Sequence, residues 1–225
     1  MKKIILILFL FLSCYLIYNL TEDKTLTYVV IGDVIADNPY TKKNITKYNN
    51  NYINPDYRIK DLINIIQYNE ELTIDNKKQS IHRMLKNADI LIVSIGMNDI
   101  YYKLNTDTNQ IYTYINEMIK ETDILLNKIK KYDYQKVLFL GYYNINDSHN
   151  DIFTYLNYKA KKIVEKYNYE YIDLNKKMRN KPDLYQNREY FAPNSQGYSE
   201  INKIIVEKIK KYWYNIKCIY YYDLN

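Results

Sequence analysis

Two kinds of apolar pattern take turns along the chain. Short unbroken apolar runs predict buried strands, and apolar positions spaced three and four apart predict amphipathic helices. The strand-like segments are "LTYVVIG" (26–32), "ADILIVSIG" (88–96), "KVLFLGYY" (136–143) and "YEYIDL" (169–174), with "NITKYNN" (44–50) as a weaker one. The segments "YRIKDLINIIQY" (57–68) and "DNKKQSIHRMLKN" (75–87) predict helices. Ile111, Ile115, Met118, Thr122, Leu125 and Ile129 fall on one face of a long helix. Phe153, Leu156, Ala160, Ile163 and Tyr167 mark another helix, and Ile201, Ile205, Ile209 and Tyr212 a last one. Strands alternating with helices of this length imply an α/β domain, a three-layer α/β/α sandwich around a central parallel sheet of about five strands.

The first twenty residues break this pattern. Lys2 and Lys3 precede an uncharged apolar run from Ile4 to Tyr18, closed by Asn19, Leu20 and the polar "TEDKT". The run is close to the lower limit of about 17 residues for a spanning helix. A signal peptide shares the charged start, but no small-x-small cleavage site follows. Bulky Phe11 and Leu12 before Ser13 make Cys14 a poor lipoprotein-type site. Lysines stay on the cytoplasmic side, so the domain is expected outside the cytoplasm, either membrane-anchored or exported. Residues 1–24 are thus read as a membrane anchor or signal segment, 25–213 as the domain and 214–225 as a tail.

Composition narrows the partners. At 225 residues, 47% hydrophobic and 26% charged, the chain is globular rather than disordered. Its net charge of +6 is spread over helical segments such as "NKIKKY" and "EKIKKYW", without a nucleic-acid module. A nucleic-acid partner is not expected. Of the two cysteines, Cys14 lies in the apolar segment, so neither a disulfide with Cys218 nor a cysteine metal site is expected. The oligomeric state is left open.

Three of the four glycines, Gly32, Gly96 and Gly141, end apolar strands. In parallel α/β sheets the site lies beyond the carboxyl ends of the strands, where a backbone often turns tightly beside a ligand. The side chains around these glycines form four blocks. The first is Gly32-Asp33-Val34. "NPDYRIKDLI" places Asp56 just before a helix, "SIGMND" supplies Gly96, Asn98 and Asp99, and "EYFAPNSQGY" supplies Glu189, Ala192, Pro193, Asn194 and Gly197. In order and spacing these resemble the SGNH (GDSL-type) hydrolases, a family of esterases, lipases and acylhydrolases with a flavodoxin-like α/β/α fold. The resemblance spans residues 26 to about 213.

The resemblance implies a serine nucleophile in block one, a histidine base and an orienting aspartate in block four, and an oxyanion site from the asparagine, the block-two amide and the serine amide. This chain has Val34 where the serine is expected, Ala192 where the histidine is expected and Glu189 in place of the aspartate. A nucleophile needs an ionisable oxygen beside a base, and valine offers only methyl groups. The base must take a proton near neutral pH, as imidazole does, and alanine cannot. What would remain is oxyanion stabilisation and binding through Asn98 and Gly96, worth about 10³–10⁴ over water in serine hydrolases, and the carboxylate of Asp56, at the block-two position of the same ligand site, would oppose even that. No cofactor or metal is expected.

The two histidines could form a different site. His82 sits in "SIHRMLK", ahead of a strand and away from the carboxyl edge. His149, in "NDSHND", follows the Gly141 strand beside Ser148 and near Asp151. A rearranged hydrolase could use Ser148 or Ser195 with His149, but members of a triad usually come from distant segments. Asp33 is expected to tie its turn together. Asn98 is expected in the cleft, and Asp99 in a structural role, such as capping. The leading functional expectation is therefore a domain tethered outside the membrane, inactive as an esterase, that binds an ester- or carbohydrate-containing envelope ligand. An active esterase with a rearranged nucleophile, and an interaction domain without a small-molecule cleft, are the alternatives.

Overall fold

The computed structural model describes residues 27–33, 49–54, 56–74, 77–106, 109–144, 149–179, 181–185 and 192–222. In chain order the elements are β1 Tyr28–Gly32, β2 Asn49–Ile53, α1 Ile59–Tyr68, β3 Glu71–Ile74, β4 Lys77–Ser80 and α2 Ile81–Lys86. There follow β5 Ile90–Ser94, α3 Met97–Thr106, α4 Ile111–Ile129, β6 Lys136–Leu140, α5 Asn150–Lys166 and β7 Glu170–Ile172. The chain then forms α6 Asn175–Met178, a 3-10 turn Pro182–Leu184, and α7 Ser195–Tyr222.

Five strands form the central sheet in the order β2-β1-β5-β6-β7, every pair parallel. Each position of β1 and β5 is buried, so the sheet is covered on both faces, and unbroken β-branched and aliphatic runs are the sequences such central strands require. The connections β2 to β5, β5 to β6 and β6 to β7 step across the sheet in one direction. Right-handed crossovers therefore put α1, α4 and α5 on the same face, where α4 packs against both of the others. The α4 stripe expected from the sequence is the one buried here, Ile111, Ile115, Met118, Thr122, Leu125 and Ile129; on α5 Phe153, Leu156 and Ala160 are buried as expected, Val164 is buried with them, and Ile163 and Tyr167 are half-buried. Ile201, Ile205 and Ile209 of α7 join the same core. Glu170 on β7 pairs with Lys136 of β6 at 2.7 Å and with Lys208 of α7 at 2.6 Å, fastening that helix to the sheet edge.

Local elements differ from expectation in four places. The segment 75–87 is not one helix: Lys77–Ser80 pairs antiparallel with Glu71–Ile74, and only Ile81–Lys86 is helical. "KKQS" has no apolar positions at helical spacing, and the Ser80 hydroxyl accepts the Arg83 N–H at 3.3 Å, so it caps the helix that begins after it. The first edge strand is Asn49–Ile53, overlapping the expected segment only at its end. An additional helix, α3, fills the start of the β5-to-β6 crossover, where its Met97, Ile100, Tyr101 and Leu104 are buried. The final helix runs on through residue 213 to Tyr222. The apolar segment at the N-terminus lies outside the described residues, and no described helix is long and apolar enough to cross a membrane.

Gly32 is the tightest point of the sheet. Its φ of +143° is open to glycine, and a Cβ there would overlap the carbonyl oxygen of Ser94 on the neighbouring strand. Gly32→Ala is expected to cost about 3 kcal/mol or more, the sum of backbone strain and overpacking against a backbone that cannot move aside. A fall in the midpoint of urea unfolding measures this, and an unchanged midpoint would contradict the packing described.

Candidate functional site

The chain crosses from one side of β1 to the other between β2 and β5, so the crevice of the fold opens at the carboxyl ends of β1 and β5. Of the buried polar residues, Asp33, Ser94, Asp99 and Asn144 all lie at this edge of the sheet. Asp33 is fully buried. Its N–H donates to the Ser94 carbonyl at 2.8 Å, extending the β1–β5 ladder by one rung. Its carboxylate accepts the Met97 N–H at 3.0 Å and the Ser94 hydroxyl at 3.4 Å. This one side chain ties the end of β1 to the turn that starts α3. Gly96 in that turn has φ +104°, and a Cβ on it would meet the Tyr142 hydroxyl at 2.9 Å and Met118 Cε at 2.7 Å.

The next two residues reach to the loop before α1. Asn98, half-buried, donates through Nδ2 to the Tyr57 carbonyl at 2.9 Å. Asp99, buried, accepts the N–H of Ile59, the first residue of α1, at 3.1 Å. Arg58 N–H is taken by Asp61 at 2.8 Å, so the first orphan donors of α1 are satisfied partly from within and partly by Asp99. Burial pushes the Asp99 carboxyl up to about 6; the Ile59 N–H and Arg58 act against this, Glu121 and Asp61 with it. Asp56 lies in an exposed turn of the same loop, its N–H donating to Asn54 Oδ1 at 3.0 Å. The structure thus brings Gly96, Asn98 and the loop of Asp56 together at the edge where the sequence places an oxyanion site.

The fourth block is arranged around Asn194. Its Oδ1 accepts the N–H groups of Gln196 and Gly197, both at 3.0 Å, capping α7. Its Nδ2 donates to the carbonyls of Asp183 at 2.6 Å and Tyr185 at 3.1 Å. Pro193 forms an isolated bridge with Tyr185. A Cβ on Gly197 would overlap the Leu184 carbonyl oxygen, so α7 can dock on the 3-10 turn only with glycine there. Ala192, half-buried, directly precedes this knot.

Val34, Glu189 and Ser148 lie outside the described residues. His149 is half-buried at the start of α5, Asp151 is exposed on its first turn, and Ser195 is exposed as the first residue of α7. His82 is engaged elsewhere: its Nε2 lies 2.6 Å from the Ile66 carbonyl and its ring packs edge-on against Tyr132. Asn144, which the sequence pattern did not single out, follows β6 at the same edge. Its N–H donates to Asn175 Oδ1 at 2.9 Å and its Nδ2 to Asn150 Oδ1 at 3.1 Å, joining the starts of α5 and α6. The available signal was its place just after a strand that ends in glycine. Among the described residues no group of His, Cys, Asp and Glu could hold a metal ion.

Comparison of the fold with solved structures gives one consistent result. An acetylxylan esterase from Geobacillus stearothermophilus superposes with a TM-score of 0.62 at 14% identity, over 82% of this chain and 94% of the esterase. A further acetyl xylan esterase gives 0.61 at 19%, over 81% and 99%. A lipase from a goat rumen metagenome gives 0.63 at 15%, over 84% and 97%. No protein-family model and no curated protein matches the sequence. The chain has the SGNH/GDSL hydrolase fold.

Two expected outcomes follow from the hydrogen bonds of this edge. With its pKa raised from about 4 to about 6, Asp99 binds its proton more tightly in the folded than in the unfolded chain. Its contribution to stability therefore falls as pH rises through that window, by about 3 kcal/mol at most. Asp99→Asn keeps an acceptor for Ile59 N–H and removes the titration. Relative to wild type its stability should rise between pH 4 and pH 6 and level off above, as read by urea unfolding across pH; a constant difference would refute the assignment. Asn194→Ala removes the α7 cap and should cost about 1–2 kcal/mol at all pH values, measured in the same way.

Proposed function

We propose that the chain is an SGNH-like domain tethered outside the membrane, inactive as an esterase, that binds an ester- or carbohydrate-containing ligand of the cell envelope. The observation that carries this reading is a division among the motif residues. Gly32, Asp33, Gly96, Asn98, Asp99, Pro193, Asn194 and Gly197 each have a hydrogen bond, a bridge or a close contact that the fold depends on. The two positions that the motif assigns to chemistry, those of the nucleophile and base, hold Val34 and Ala192. The chain retains what the fold needs and lacks what the reaction needs.

The solved relatives support both halves. Variants of the Geobacillus esterase with serine or histidine changed to alanine are catalytic mutants, and this chain carries valine and alanine where its own motif calls for those residues. Acetylxylan is a carbohydrate ester, which favours that ligand chemistry for a fold shared with two acetylxylan esterases. The tether rests on Lys2, Lys3 and the apolar run that follows them.

Purified wild-type protein should give no burst of nitrophenolate from nitrophenyl acetate and no turnover above buffer. Specific hydrolysis that disappears in His149→Ala would mean that a different triad operates, and the inactive reading would be abandoned. On cell fractionation the full chain should sediment with membranes, and a chain starting at Thr25 should be soluble. Recovery of the uncleaved full chain in the soluble fraction would remove the tether.

A further inference from the structure

Lysines that are scattered in the sequence converge beside the fourth block. The 3-10 turn and the first two turns of α7 enclose a groove of about 480 Å³, lined by Lys181, Leu184, Gln196, Ser199, Glu200 and Lys203. Lys203 pairs with Glu200 at 2.6 Å. That hydrogen bond, reinforced by the fields of Lys203, Lys181 and Lys177, holds Glu200 below the usual carboxylate range. Lys203 is thus the ion-pair partner of Glu200, Lys181 lines the groove with them, and the field of Lys177 reaches the same carboxylate. Lys177 and Lys181 are exposed and form no ion pair among the described residues, so the groove keeps a net positive charge.

We infer that this groove is a binding site for an acidic glycan, a sugar chain bearing carboxylate or phosphate groups. Its volume is in the range of small-ligand sites, about 300–1,000 Å³. Lys181 in the lining supplies a point charge for the anionic group, and the field of Lys177, which reaches Glu200, adds to it. The exposed Gln196 amide and the Ser199 hydroxyl can exchange hydrogen bonds with sugar hydroxyls, and Leu184 gives an apolar floor for the carbon face of a ring. An anionic lipid surface fits less well. A protein face that enters a bilayer interface needs exposed apolar side chains beside its cations, and among the described residues the exposed large apolar side chains Tyr68, Tyr102, Tyr112, Ile124 and Tyr158 do not line the groove. The inference rests on the ligand-binding half of the proposed function and is independent of whether hydrolysis occurs.

The test is calorimetric titration of the full chain, held in phosphatidylcholine nanodiscs, with tetragalacturonate and with uncharged xylotetraose. Tetragalacturonate should bind more tightly than xylotetraose, and its affinity should fall as salt is added. The double substitution Lys177→Gln/Lys181→Gln should weaken it by about tenfold or more, while Lys86→Gln on the exposed face of α2 leaves it unchanged. Equal binding of the two sugars, or affinity unaltered in the double variant, overturns the acidic-glycan site. Binding of xylotetraose alone overturns it while leaving the glycan-binding reading standing, and binding of neither removes both. Failure of tetragalacturonate, combined with protection of Lys181 from acylation only when phosphatidylglycerol is added to the discs, overturns it in favour of a membrane surface.

Discussion

The buried carboxylate of Asp33 is the point on which the carboxyl edge depends. A carboxylate removed from water must find donors or pay several kcal/mol, and here the donors are the Met97 N–H and the Ser94 hydroxyl. Satisfying it locks the end of β1 onto the turn between β5 and α3. Gly32 lets the two strands approach closely enough for this, and Gly96 lets the turn pass under Tyr142. From that turn Asn98 and Asp99 reach the loop and first residue of α1. One buried group thus sets the relative position of two strands, two helices and the loop that carries Asp56.

The same edge separates residues with a structural duty from those a reaction would require. The resemblance assigns Asn98 to an oxyanion site, and in the structure its amide supports the loop backbone at Tyr57. Asn194 uses both amide protons on backbone carbonyls and its oxygen on two helix N–H groups. Residues of this kind are held by stability whatever happens to the chemistry. A nucleophile and a base, by contrast, are demanded by a reaction and not by the fold.

Most of the architecture was legible in the hydrophobic pattern, because a parallel sheet covered on both faces demands continuous apolar strands and its helices demand a single apolar stripe. "ADILIVSIG" and the stripe from Ile111 to Ile129 state this directly. The pattern failed where burial does not dominate. In "DNKKQS" no apolar period distinguishes strand from helix, and hairpin pairing with Glu71–Ile74 decides the matter through backbone hydrogen bonds that leave no mark on side-chain spacing. The edge strand Asn49–Ile53 is placed by its register against β1 for the same reason.

Sequence alone determined that Val34 offers no nucleophilic oxygen and Ala192 no basic nitrogen, since no environment confers either on such side chains. It also determined the α/β class and the edge of the sheet where the motif residues gather. Tertiary structure decided what the remaining residues do. That Asp99 caps α1, that Asn194 joins α7 to the 3-10 turn, and that Lys181 lines one groove with Glu200 and Lys203 all depend on the approach of segments up to tens of residues apart. Hydrogen bonds and electric fields act over a few ångströms of space, and only the folded chain defines which groups lie within that reach.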